Sequence, residues 1–194
     1  MTKPLIALCI GHSRFIKGHR DGGAVAVDSK TSEWVFNSEL AKSASIELAE
    51  LGIPAIIISR YEGAGYEAAQ KWLAGELKRL GAGAALELHF NDSDNRAANG
   101  HEFLYWHASN RGKALATAID RQMDTRLPEI RHRDLVAISG KDRGAAFLYG
   151  TPCPAVIMES FFGSNPQDLH DGISNLETLA TVLAYGVKEW LGWA

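Results

Sequence analysis

Residues 84–92 read AALELHFND, and the way their side chains divide decides the fold. As a strand, the segment sends Leu86, Leu88 and Phe90 to one face and Glu87 and His89 to the other, because successive strand residues point to opposite sides. Asn91-Asp92 then opens a polar run through Ala98. The stretch is apolar enough for a core, yet it ends by aiming a histidine at a loop.

Outward from this strand, short β-rich runs alternate with helical ones. PLIALCI (4–10) is a continuous apolar strand, followed by a glycine-rich polar stretch from Gly11 to Thr31. NSELAKSASIELAELG (37–52) carries Leu40, Ala44, Leu48 and Leu51 at helical spacing, with Gly52 placed to stop it. IPAIIISR (53–60) reads as a strand and GYEAAQKWLAGELKRLGAG (65–83) as an amphipathic helix ending at Gly81. GHEFLYWH (100–107) is another strand, followed by a helix from about Asn110 to Arg126. PAVIMESFF (154–162) is a last buried strand, and a helix from about Gly172 to Leu191 follows it. Continuous apolar strands alternating with helices imply a mostly parallel sheet covered on both faces. The expectation is one α/β domain over residues 1–194, with a twisted sheet of about six strands flanked by helices.

Composition narrows the function classes. Of 194 residues, 46% are apolar and 22% charged, ordinary for a globular protein. A net charge of -3 gives no basic footprint for nucleic acid or an acidic membrane surface. No apolar run approaches the roughly 18 residues of a membrane helix, so no membrane insertion is expected. Cys9 and Cys153 are too few for a disulfide framework and read as buried thiols made in a reducing compartment. The first residues have one lysine and no convincing cleavage site, and read as the approach to the first strand, not as a signal peptide.

In such sheets, ligands bind beyond the carboxyl ends of the strands. His12 follows strand 4–10, His89 ends strand 84–90, and Glu159 lies late in strand 154–162, so all three share one sheet edge. Two histidines and a carboxylate suit zinc, whose fourth position can hold water. A histidine near a strand end is more often a hydrogen-bonded structural residue. Glu159 is harder to dismiss, since a carboxylate inside AVIMESFF is costly to bury unless paired or chemically active.

Four stretches in order resemble the zinc-dependent N-acetylmuramoyl-L-alanine amidases, especially phage and prophage endolysin catalytic domains: CIGHS, SEWVFN, LELHFND with GHEFLYW, and AVIMESFFGSN. The resemblance spans nearly the whole chain and implies a twisted sheet flanked by helices. It implies one zinc ion held by His12, Glu33 and His89, with Glu159 as the catalytic base. Glu39 competes with Glu33 for the third ligand. Glu33 is favoured because the pattern Glu33 to Asn37 sets it ahead of the helix, whereas Glu39 would serve the helix dipole in the first turn. CIGHSRFIKGHRDGGA departs from the family's commonest D-x-G-H-G-G form, as some phage-type members do, and adds His19, read as solvent-exposed.

His101 and Arg143 are the candidate substrate-binding residues. His101 would line a groove or face solvent, and the charged cluster GKDRGA reads as a solvated loop or as one from which Arg143 reaches a substrate carboxylate. The implied reaction cleaves the amide between the lactyl group of N-acetylmuramic acid and L-alanine of the stem peptide. A polymeric substrate calls for an open groove. A zinc peptidase cutting within the stem peptide and a non-catalytic wall-binding module are the competing readings. Peptidoglycan is the expected partner, with no separate wall-binding domain. The protein would accumulate in the cytoplasm and need another factor, for example a holin-like one, to reach the wall, either as a small prophage lysin or as a bacterial wall-remodelling enzyme.

Overall fold

The computed structural model describes residues 3–16 and 18–193, so both ends of the expected 1–194 span, including Met1 and Thr2, lie outside the described residues. In chain order the elements are β1 (Leu5–Ile10), a short hairpin of β2 (Phe15–Ile16) and β3 (His19–Arg20), α1 (Glu33–Glu50), β4 (Ala55–Ile58), α2 (Tyr66–Leu80) and β5 (Ala82–Asn91). They continue with β6 (His101–Trp106), α3 (Asn110–Arg126), β7 (His132–Ile138), α4 (Ala145–Gly150), β8 (Ala155–Phe162), α5 (Pro166–Ser174) and α6 (Leu176–Trp190).

The main sheet has six strands in the order β4-β1-β5-β8-β6-β7. Its pairings are parallel except between β6 and β8. This is the mostly parallel, helix-flanked sheet that the alternation of apolar strands and helices implies. The chain leaves β1 for β4 on one side and later crosses to β5 on the other. Connections diverge there, and a crevice opens beyond the strands' carboxyl ends.

Strand alternation sorts the two faces. Ile6, Leu8, Ile10, Leu86, Leu88, Phe90, Val156 and Met158 join side chains of α1, α3 and α6 in the larger core. Phe36, Phe90 and Phe161 pack within it, with Phe36 and Phe161 edge to face at 4.9 Å between centroids. Ala7, Cys9, Ala85 and Ile157 turn the other way, onto a smaller cluster under α2 and α4. Both cysteines are free thiols, and burial pushes both up, Cys153 to about 11. No helix is long and apolar enough to cross a membrane among the described residues.

Several local expectations are corrected. Helix α1 begins at Glu33 instead of about residue 37, because the Ser32 hydroxyl accepts the Val35 N–H and caps it there. Glu33 therefore stands in the helix's first turn, and not ahead of the helix. The C-terminal helix is two: Asn165 caps α5 with Pro166 in its first turn, and the backbone leaves helical geometry at Asn175. Strand β7 is an edge strand that opens on His132, Arg133 and Asp134, so its apolar run is short, from Leu135 to Ile138. The loop from Gly11 to Thr31 contains the β2–β3 hairpin.

Candidate metal centre

The carboxyl end of β1 delivers His12 through a strained step. His12 has a φ of 57°, in the left-handed region a histidine seldom visits. Gly11, just before it, donates its N–H to Leu88 O at 3.0 Å. A Cβ at Gly11 would overlap the His89 ring, so only glycine lets the two strand ends approach this closely.

Glu33 closes the arrangement from α1. Its Oε1 lies 2.7 Å from His89 Nδ1, and its Oε2 lies 3.3 Å from His12 Nε2 and accepts the Ala24 N–H at 3.1 Å. The rings of His12 and His89 meet edge to face at 5.2 Å. Gly23, with φ of 70°, passes so near that a Cβ would fall 2.6 Å from Glu33 Oε2. Burial works against the Glu33 charge, but the hydrogen bond and charge of His89, the charge of His12 and the Ala24 N–H outweigh it and lower its pKa. Burial likewise opposes a charged His89, and the contacts with Glu33 and Glu87 override it, raising that pKa well above the ordinary value.

Each imidazole turns one nitrogen to Glu33 and the other to a second carboxylate. His12 Nδ1 is 3.4 Å from Asp21 Oδ1, and His89 Nε2 is 3.4 Å from Glu87 Oε2. Glu87 is itself held, because its Oε1 accepts the Tyr61 hydroxyl at 3.2 Å and the Gln70 amide at 3.3 Å. Outer carboxylates of this kind fix the proton on the far ring nitrogen and leave the near one free to ligate. One donor atom from each of His12, Glu33 and His89 lies within 4.8 Å of the others. Two imidazoles and one carboxylate are a donor set of catalytic zinc sites, which keep a fourth position for water. The residues fit the ion.

Glu159 sits beside this set. Its Cα pairs with His89 across β5 and β8, and with Glu102 across β8 and β6. The carboxylate is 2% exposed; Arg143 Nη2 donates to Oε1 at 2.8 Å, and Oε2 has no partner among the described residues. Burial pushes its pKa to about 7, against the opposing charges of His89 and Arg143. His12, His89, Arg143 and Glu159 line a cleft of about 720 Å³, which also presents Tyr61, Tyr66, Gln70 and Tyr149.

The structure thus brings His12, Glu33, His89, Glu159 and Arg143 together. Glu39 is elsewhere, exposed on α1 and paired with Lys42 at 2.7 Å. His19 is exposed on β3. His101 is a correction: it neither lines the cleft nor faces solvent. Along β6 the residues Glu102 and Leu104 face the cleft side, so His101 turns to the opposite face, where it is fully buried against Phe103 and Asp120. Sequence reasoning missed Asp21, Tyr61 and Gln70 as supports. Gln70 left a signal, being a polar residue within the Ala69, Leu73, Leu77 stripe of α2.

Comparison with known proteins adds a family. A sequence model of the family described as N-acetylmuramoyl-L-alanine amidase matches residues 6–181. No curated protein matches the sequence significantly. Among solved structures, the catalytic domain of the amidase CwlV from Paenibacillus polymyxa is 21% identical, with a TM-score of 0.80 over 98% of this chain and 99% of that one. The CwlD amidase of Clostridioides difficile, solved with the GerS lipoprotein, is 18% identical with a TM-score of 0.83, covering 98% and 99%. The catalytic domain of the CD27L endolysin, which targets Clostridia difficile, is 25% identical with a TM-score of 0.74, covering 98% of each chain.

Proposed function

This chain belongs to the N-acetylmuramoyl-L-alanine amidase family, and from that premise we propose that it hydrolyses the amide joining the lactyl group of N-acetylmuramic acid to L-alanine of the peptidoglycan stem. His12, Glu33 and His89 would hold one zinc ion. When bound, zinc supplies a Lewis acid and a water of lowered pKa, about 7 in known zinc hydrolases. Asp21 and Glu87 keep both imidazoles turned toward Glu33.

Glu159 does the proton work. Its Oε2 takes the proton of the attacking water and returns it to the departing amine of L-alanine. Burial raises its pKa and a bound cation would lower it, so the carboxylate is available as a base near neutral pH. Arg143 holds Oε1 and so orients the carboxylate. The cleft's exposed aromatics, Tyr66 and Tyr149, offer flat surfaces to a sugar or peptide.

The observation that carries this reading is the juxtaposition of a His-Glu-His donor set with a buried glutamate one strand away. Mass spectrometry of fragments released from purified peptidoglycan, with and without a chelator, tests it. The expected products carry a free amino group on L-alanine, and the chelator abolishes them. Cuts inside the stem peptide would mark a peptidase instead. Glu33→Ala should lose the zinc and Glu39→Ala should keep it; the reverse overturns the ligand assignment.

The segment CIGHSRFIKGHRDGGA, whose departure from the commonest form some phage-type members share, supports an endolysin role, in which the protein waits in the cytoplasm for a holin-like factor. Cells expressing it alone should grow, and should lyse once the membrane is permeabilised. Continued growth after permeabilisation would overturn that role.

A further inference from the structure

Behind the sheet from the cleft, a second group of donors converges. His101 opens β6 and His132 opens β7, and their Cα atoms are register partners in adjacent parallel strands. Asp120 and Asp124 lie one turn apart on α3, which packs over both strands. His101 Nε2 is 3.2 Å from Asp120 Oδ1 and 3.6 Å from Asp124 Oδ1. His132 Nδ1 is 3.0 Å from Asp124 Oδ2, and its Nε2 is 3.8 Å from Asp120 Oδ2. One ligand atom from each of the four lies within 4.8 Å of the rest.

We propose that this cluster is a second, structural zinc site, separate from the cleft and independent of the reading given for it. The donor set is two imidazoles and two carboxylates, a closed four-ligand complement for a tetrahedral ion. Metal–ligand bonds of about 2.0–2.1 Å at tetrahedral angles set donors about 3.3 Å apart. One ligand atom from each of the four lies within 4.8 Å of the rest, so side-chain rotations are what bring the donors to that spacing. The charge balance points the same way. Asp120 is buried, and among the described residues no lysine or arginine pairs with it or with Asp124. A buried Asp120 carboxylate without a fixed cation is costly unless a positive charge joins it. His101 is fully buried, its Nδ1 has no hydrogen-bond partner among the described residues, and its Nε2 faces the carboxylates.

The ion would clamp α3 to the starts of β6 and β7. His101 directly precedes Glu102, whose Cα pairs with Glu159. A clamp here therefore fixes the strand that backs the catalytic glutamate.

The test is zinc stoichiometry. Purified protein is stripped with a chelator, and zinc is titrated back by calorimetry, with thermal melting run in parallel. The wild type should take up about two equivalents. His89→Ala, which breaks the cleft set, should keep one equivalent and still gain thermal midpoint with zinc. Adding Asp124→Asn and His132→Gln should abolish both effects. Because Asp124 and His132 are exposed, and the replacements are nearly isosteric, the fold should survive them, with unchanged circular dichroism as the check. One equivalent in the wild type and none in His89→Ala would overturn the proposal and leave the cluster as hydrogen-bonded ion pairs. One equivalent that survives His89→Ala but not the cluster changes would sustain it while overturning zinc in the cleft.

Discussion

The two faces of β5 and β8 are built from alternate residues of the same strands, yet they obey different rules. On one face Leu86, Leu88, Phe90, Val156 and Met158 are sealed beneath α1, α3 and α6. On the other, Glu87, His89 and Glu159 point into a cleft that α2 and α4 leave open. The sealed face gains from removing apolar area from water. The open face carries three ionisable groups that are buried at a cost, and offsets it with hydrogen bonds from Tyr61, Gln70 and Arg143. Rigidity on the first face holds the geometry on the second. Neighbouring residues on one strand should therefore fail in different ways.

The largest separation is expected at Glu159. Glu159→Gln keeps the shape but cannot take a proton, so kcat should fall by about 10²–10⁴. Zinc content and thermal midpoint should stay near wild type, since the change spares His12, Glu33 and His89. Near wild-type cleavage would put the proton acceptor elsewhere. Leu88→Ala, directly beside His89 but on the sealed face, is the counterpart. Leu88 is fully buried, so the truncation should cost about 2–5 kcal/mol in denaturant unfolding. The folded fraction should still hold its zinc and turn over normally. Lost zinc without lost stability would mean that the two faces do not divide labour in this way.

Glu87 tests how far the open face depends on its outer carboxylates. Glu87→Gln removes the charge facing His89 Nε2, and losses of this kind weaken metal binding by about 10–100-fold. Competition with a chromogenic chelator would measure it. Unchanged affinity would show that Tyr61 and Gln70 hold the strand end without the Glu87 charge.

The division between the faces was legible in AALELHFND, because period-two alternation separates apolar from ionisable residues there. It was not legible in GHEFLYW, where both faces are largely apolar and His101 gave no sign of its direction. That is why neither a groove-lining nor a solvent-facing reading of His101 holds, and the residue lies behind the sheet. The site's outer supports come from three distant segments, Asp21 in a loop, Tyr61 after β4 and Gln70 on α2. Nothing local in the sequence announces such a convergence. The onset of α1 was hidden because Trp34 and Val35 interrupt the leucine and alanine spacing, while Ser32 alone marks the cap.

The finest test of the open face is Arg143, whose guanidinium contacts Glu159 Oε1 from the rim of the cleft. That cation favours the charged carboxylate. Removing it raises the Glu159 pKa, so a base that must be deprotonated to act is lost at higher pH. In Arg143→Ala the acid limb of kcat/KM should therefore move upward, with the deficit largest at low pH and vanishing in alkali. The Arg143 side chain is 68% exposed, and an exposed pair is worth at most about 1 kcal/mol, or about five-fold in rate. Arg143→Lys should restore part of the profile, and added salt should shrink the difference between wild type and Arg143→Ala. A deficit uniform across pH, carried by KM, would instead mean that Arg143 holds a carboxylate of the stem peptide and leaves the ionisation of Glu159 to burial alone.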